Sequence, residues 1–247
     1  MGSERDEALA GRRFGAAADA YVAGRPDYPA EIVEWLIGDA RAVADVGAGT
    51  GKLTAALVRA GREVTAVEPD AGMLEALARE VPQAAPLQGT GEVIPLPDAS
   101  VDAVVYGQAW HWVDVPAASA EAARVLRPGG VLGLVWNVRD TAADWVDRLG
   151  DVMRGSAAER MIGSDAVVVA PPFGPLERRD LRWTRPMTVD QVVAMAASRS
   201  YVIALPAGER DDVLAGIRTL LATHPATAGR DAVDLPYVTS AFRTRRP

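Results

Sequence analysis

From about residue 30 to 137, short apolar runs are separated by stretches whose apolar positions recur at helical spacing. The runs predict strands and the stretches helices. Helix is expected over 31–37, strand over 42–47, helix over 52–60, strand over 63–68, helix over 71–80 and a short strand near 84–88. Strand 101–106, helix 116–126 and strand 131–136 follow. Such alternation predicts a parallel sheet with crossover helices. The runs 101–106 and 131–136 are apolar enough to be covered on both faces. Arg124-Val125-Leu126-Arg127-Pro128-Gly129-Gly130 reads as a helix-to-strand turn, stopped by glycine and kept from continuing by proline. Beyond residue 140 the rhythm changes to helix 142–154, an irregular Pro171-Pro172-Phe173-Gly174-Pro175, a strand near 176–184, helices 188–198 and 207–223, and a last strand 235–242. No repeat or low-complexity linker interrupts the chain. It is read as one α/β domain over 1–247, with a core over 41–140, a helical cap insertion over 141–230 and a last strand and tail over 231–247.

Between the first strand and the next helix lies Asp45-Val46-Gly47-Ala48-Gly49-Thr50-Gly51. Glycines at alternate positions permit backbone angles and close ligand approach that a Cβ would block. A strand, a glycine turn and a helix start together make a nucleotide-type pocket at the strand's carboxyl end. The spacing is G-x-G-x-G followed by Lys52, not G-x-G-x-x-G, and the Walker lysine-serine pattern is missing, so the phosphate-cradling reading is weak. Asp45, two residues before the first glycine, would repel a pyrophosphate and suits an ammonium and a sulfonium. That combination points to S-adenosylmethionine. The second strand ends in Glu68, an acid able to accept from both ribose hydroxyls of an adenosine. A nicotinamide dinucleotide would use the same acid, so Glu68 alone does not discriminate.

The chain has 247 residues, 49% hydrophobic and 24% charged, ordinary for a soluble globular enzyme. No apolar run reaches the ~18 residues of a membrane span. The first residues carry charges of both signs without an apolar signal core, so a cytoplasmic protein without membrane association is expected. The absence of cysteine excludes disulfides, zinc thiolates and cysteine nucleophiles. A net charge of −7 disfavours a nucleic-acid partner, and the basic run Arg243-Thr244-Arg245-Arg246 reads as a solvated terminus. Asp19, Asp27 and Asp114 show no histidine-rich grouping, so no metal is expected. The expected state is a monomer or homodimer.

Four segments in order carry a resemblance. Asp45 to Gly51 looks like motif I of class I SAM-dependent methyltransferases. Val67-Glu68-Pro69-Asp70, with Met73 a turn later, resembles their ribose-binding segment. Gly89-Thr90-Gly91-Glu92-Val93-Ile94-Pro95-Leu96-Pro97-Asp98 resembles the segment covering the adenine, and Leu126-Arg127-Pro128-Gly129-Gly130 the turn before the fifth strand. Arg25-Pro26-Asp27-Tyr28-Pro29, Gln108-Ala109-Trp110-His111-Trp112 and Trp136-Asn137-Val138-Arg139-Asp140 resemble a small-molecule branch that includes trans-aconitate methyltransferase-like proteins. The resemblance implies a Rossmann-like three-layer sandwich, a seven-stranded, mostly parallel sheet with a reversed last strand. It also implies that residues 1–40 form lid helices, with Tyr21 and Arg25 near the methionine moiety. Many relatives carry aspartate where Thr90 stands. A neutral hydroxyl accepts from the adenine amino group more weakly, so placement would rest more on the backbone at Gly91 and Glu92.

Methyl transfer from a sulfonium is an in-line displacement in which the protein mainly aligns and desolvates the reactants. A base is needed only for a nucleophile that is protonated at working pH. His111, after the fourth strand, is the candidate base for a phenol or enol; otherwise it contacts acceptor or loop, or is a bystander. His224 reads as a surface residue. Trp110, Trp112 and Trp136 wall a flat acceptor pocket, cover the sulfonium by cation–π attraction, or pack in the core. Gln108 binds cofactor or acceptor, or fixes a loop. Arg139 and Arg199, beside Tyr201, either grip an acceptor carboxylate or form ion pairs; Arg25 grips the cofactor carboxylate or pairs at the surface. The expected cofactor set is Asp45, Gly47, Ala48, Gly49, Thr50, Gly51, Glu68, Pro69, Met73, Thr90, Gly91, Glu92 and Gln108, with Tyr21 and Arg25. The expected product is S-adenosylhomocysteine and the expected partner a small-molecule acceptor, with oxygen favoured because the branch includes carboxylate acceptors. Two other classes compete: a fold member that binds SAM without methylating, as a structural ligand or for a rearrangement, and a nicotinamide oxidoreductase.

Overall fold

The computed structural model describes residues 26–153 and 167–247, apart from the side chains of Ser200 and Tyr201. Helix α1 (Ala30–Ile37) precedes strand β1 (Ala42–Val46), α2 (Lys52–Arg59), β2 (Glu63–Glu68), α3 (Ala71–Glu80), β3 (Ala85–Gln88) and β4 (Val101–Gly107). A 3-10 turn (Trp110–Trp112), α4 (Val115–Val125) and β5 (Leu126–Arg139) follow. Then come α5 (Asp144–Val152), β6 (Glu177–Thr188), α6 (Val189–Ala197), α7 (Ser200–Ile203), α8 (Ala207–Thr223) and β7 (Ala232–Arg245). Among the described residues no helix is long and apolar enough to cross a membrane.

The seven strands form one sheet in the order β3-β2-β1-β4-β5-β7-β6. Strands β1 to β5 pair in parallel. Strand β7 is reversed. Gly129 N donates to Arg246 O at 3.1 Å where β5 begins, and Asp140 N donates to Pro236 O at 3.0 Å where it ends. This is the doubly wound sheet, with one reversed strand, that the alternating pattern and the resemblance predict.

Two compact units divide the chain, one built on Asp27–Asn137 with the described residues 167–181 and 239–247, the other on 138–153 and 182–238. In the first, alternate strand residues face α1 and α2: Val43, Val64, Ala66, Ala103, Val105, Val131 and Val135 pack with Ile32, Leu36, Leu53 and Leu57. Burial at a period of two on the strands against a helical stripe is what the apolar pattern encodes. In the second unit α5, α6 and α8 enclose Val146, Leu149, Val192, Met195, Ile217 and Leu221 with the strand residues Met187, Leu235 and Tyr237.

Two expectations need correction. Helix α4 ends at Val125, before the proline and glycines, because Leu126 is already extended (ψ 140°). Residues 127–130 then loop out, since Val101 faces Leu126 while Ala103 faces Val131. The basic tail is not simply solvated. Arg243 donates to Trp35 O at 2.7 Å, stacks 4.3 Å from the Trp35 ring and pairs with Glu177 at 2.8 Å; Arg245 donates to Gly129 O at 3.0 Å, and Arg246 to Leu126 O. Main-chain carbonyls and an aromatic face hold these guanidinium groups.

Candidate active site

The glycine loop follows β1. Gly47, Gly49 and Gly51 have φ of +69°, +56° and +89°, the left-handed region that side chains disfavour. Gly47 N and Ala48 N donate to Val67 O at 2.8 and 3.1 Å, folding the loop over the end of β2. A Cβ on Gly47 would stand 2.6 Å from the Ala109 Cβ, in the loop after β4, and one on Gly51 would stand 3.0 Å from Leu77 in α3. A Cβ on Gly49 would meet nothing within 4 Å. The outer glycines therefore permit packing, while the middle one borders open space.

Glu68, at the end of β2, is buried and joins two loops: Oε2 accepts from Gly49 N at 2.8 Å and Oε1 from Asp70 N at 3.1 Å. A carboxylate has about four lone-pair sites, so acceptor capacity remains for ribose hydroxyls. Asp70 caps α3 through Met73 N at 2.8 Å, setting half-buried Met73 on its first turn. Exposed Pro69 accepts from Gln88 Nε2 at 3.1 Å.

Asp45 is wholly buried behind the loop, where Oδ2 accepts from the Thr54 hydroxyl of α2 at 2.6 Å. Burial pushes its carboxyl up to about 7, the Thr54 hydrogen bond opposing and the Glu68 charge adding to the rise. Among the described residues, Asp45 Oδ1 and the buried Thr50 hydroxyl find no partner.

The loop after β3 is held by side chains from α4. The Thr90 hydroxyl accepts from Glu92 N and Val93 N at 3.3 and 3.2 Å, so it closes its own turn. Glu92 accepts from Asp114 N at 2.9 Å; burial opposes ionisation, but hydrogen bonds, that one foremost, hold the carboxyl below its usual range. Gly91 is buried, its carbonyl accepting from Tyr106 Oη at 3.3 Å, and a Cβ there would stand 2.6 Å from Val113. Sequence reasoning missed Arg124 and Glu121. Arg124 donates to Leu96 O and Ile94 O, both at 2.9 Å, and pairs with Glu121 and Asp98 at 2.7 and 2.6 Å. Glu121 also accepts from Ile94 N at 2.8 Å, and Arg124's hydrogen bond holds its carboxyl below the usual range. The (i, i+3) spacing signals the pair, but not the distant loop it organises.

At the end of β4, Gln108 takes φ +58°, unusual for a residue with a side chain. Its N donates to Val135 O at 2.9 Å and its Nε2 to Asn137 O at 2.7 Å, which favours the loop-fixing reading. Trp110 is core, edge-on to Tyr106 at 4.7 Å with Nε1 donating to Val168 O at 2.9 Å. Trp136 is wholly buried, edge-on to Phe242 at 5.9 Å, and its Nε1 donates to His111 Nδ1 at 3.4 Å. His111 is half-buried, its ring 4.9 Å from that of Trp112, which is 74% exposed.

Arg139 and Arg199, in the second unit, are buried and each faces a thioether: Arg139 Nη1 lies 2.8 Å from Met153 Sδ and Arg199 Nη2 3.5 Å from Met195 Sδ. His224 is not a bare surface residue, because its ring bonds Asp144 Oδ2 at 2.9 Å at the end of α8. Tyr21 and Arg25 lie outside the described residues, as does the Tyr201 side chain, whose backbone is in α7. Among the described residues no group of three or more metal-ligating side chains occurs.

Residues 44–134 match the model of a methyltransferase domain. Over 242 residues, 98% of this chain and 97% of the relative, the sequence is 48% identical to an uncharacterized methyltransferase of Mycobacterium tuberculosis. Identity to an uncharacterized methyltransferase of Schizosaccharomyces pombe is 30% across 96% of this chain and 98% of the relative. A putative type II methyltransferase of Anaeromyxobacter dehalogenans superposes with a TM-score of 0.65 at 26% identity, covering 90% of this chain and 97% of the other. The glycine loop, the acid ending β2 and these full-length likenesses agree: the chain belongs to the class I S-adenosylmethionine-dependent methyltransferases.

Proposed function

We propose that this methyltransferase acts on a small molecule and methylates an oxygen, of a carboxylate or of a phenol or enol. The observation that carries this reading is the junction of two loops. Strands β1 and β4 are parallel neighbours, so their carboxyl ends lie side by side, and the Gly47 loop touches Ala109 of the loop bearing His111 and Trp112. In open α/β sheets ligands bind at such carboxyl ends. S-adenosylmethionine supplies an already activated methyl group when bound. The Gly47–Gly51 backbone would hold it, with Glu68 receiving the ribose hydroxyls, Met73 and Pro69 flanking, and Gly91 and Glu92 beside the adenine. Asp45 orders the loop from behind. His111 and Trp112 would meet the acceptor. The oxygen preference rests on the resemblance of the Gln108–Trp112 and Trp136–Asp140 stretches to a branch with carboxylate acceptors. A net charge of −7 supports an acceptor other than nucleic acid. A cytoplasmic location and a monomer or homodimer belong to the same reading.

Titration calorimetry with S-adenosylmethionine, S-adenosylhomocysteine and NAD tests the pocket first. Micromolar binding of the first two and none of NAD is expected. A screen of small carboxylates and phenols, read as S-adenosylhomocysteine formed with turnover, then tests the acceptor. Turnover confined to nitrogen or carbon acceptors would overturn the oxygen assignment; binding without turnover on any acceptor would favour a non-methylating member of the fold.

A further inference from the structure

We infer that Trp136 is a positioning residue that fixes the tautomer of His111, so that neutral His111 carries its proton on Nε2 and serves the acceptor as a hydrogen-bond donor, not as a proton-taking base. The donor role rests on the proposed function; the tautomer does not.

Trp136 sits in β5 with no exposure, and its indole N–H is a donor only. Such a buried N–H needs an acceptor, and among the described residues the one it has is His111 Nδ1, at 3.4 Å. The indole cannot turn away to relieve a mismatch, because it is wholly buried and stands edge-on to Phe242 at 5.9 Å. A neutral imidazole has one N–H and one bare nitrogen. If Nδ1 carried the proton, two N–H groups would face each other and the buried indole would be unsatisfied, which disfavours that tautomer by about tenfold or more. Nδ1 is therefore bare and directed at the indole, and Nε2 holds the proton.

The consequence concerns the acceptor. A base must offer a lone pair to the proton it removes. In this tautomer Nε2 offers a hydrogen, and the lone pair on Nδ1 already accepts from Trp136. His111 can hold an acceptor oxygen by donation but cannot take its proton without losing the Trp136 bond. An acceptor served by this ring arrives with its nucleophilic lone pair already available.

The chain has two histidines, so their side-chain nitrogens can be assigned with one His224→Gln variant. Long-range 1H–15N NMR of the whole protein, without cofactor or acceptor, reads the tautomer directly. For neutral His111 a bare Nδ1 and a protonated Nε2 are expected, with a mixture of tautomers in Trp136→Phe. The Trp136 indole proton should also move when His111 gains a proton, a wild-type measurement that keeps the test open should the variant fail to fold. Protonated Nδ1, an indole proton indifferent to His111, or an unchanged tautomer in Trp136→Phe would each overturn the inference. None of these readouts depends on methyl transfer, so failure of the acceptor screen leaves the tautomer result standing, and the reverse.

Discussion

Glu68, Gly47 and Gly49 do different work on one loop, and substitutions separate them. Glu68→Ala removes two charge-assisted hydrogen bonds from Gly49 N and Asp70 N along with the proposed ribose acceptor. S-adenosylmethionine affinity is expected to fall by roughly 10–100-fold, read by calorimetry. Gly47→Ala places a Cβ 2.6 Å from Ala109 at a left-handed backbone, so a stability loss of about 2–3 kcal/mol in urea unfolding is expected. Gly49→Ala shares the backbone strain but meets no atom within 4 Å, so about 1 kcal/mol is expected, with cofactor affinity reduced more than stability. Equal effects of the two alanines on both readouts would contradict this division. The places of these residues were legible in the sequence as a motif, since alternate glycines and a strand-terminal acid declare a loop and its anchor locally. The direction of the Thr90 hydroxyl and the Gln108 amide was not, because each is settled by a backbone partner that a residue list does not reveal.

Elements were readable where apolar periodicity governed them and misread where charge did. Strands β1, β2 and β4 lie close to their expected bounds because burial on both faces leaves little polar ambiguity. Strand β7 runs to Arg245, beyond the expected 242, because its arginines are held by carbonyls and by the Trp35 ring instead of water. Arg124 shows the same blindness. On a helix, Glu121 and Arg124 look like an ordinary surface pair, whereas the guanidinium fixes carbonyls 28 and 30 residues away. Arg124→Met keeps the apolar stem and removes the fork. It should destabilise the protein by about 1–3 kcal/mol and speed amide hydrogen exchange at Ile94. Exchange there as slow as in the parent would show that the loop holds without it.

At the scale of the whole molecule, the buried carboxyl behind the glycine loop ties stability to pH. Burial lifts the Asp45 carboxyl to about 7 in the folded chain, from an ordinary value of 3.8. Between those values the folded protein holds a proton that the unfolded chain has released, so stability falls as pH rises through this window and the loss is complete above about 7. The span corresponds to as much as ~4 kcal/mol. Urea unfolding at pH 5 and pH 8 should show this decline in the parent and much less of it in Asp45→Asn; parallel pH dependences would place the titrating group elsewhere.

Strand β7, made after both of its neighbours, lies between β5 and β6. A ribosome therefore exposes β5 and β6 before the strand that joins them exists. Until residues 232–245 emerge, both present unpaired edges, the feature by which strands recruit other chains. Synthesis halted at residue 231 should yield a chain that aggregates or is captured by chaperones, while one completed through β7 stays dispersed on sedimentation. For this chain, the vulnerable interval in biosynthesis is the time needed to translate α6 through α8.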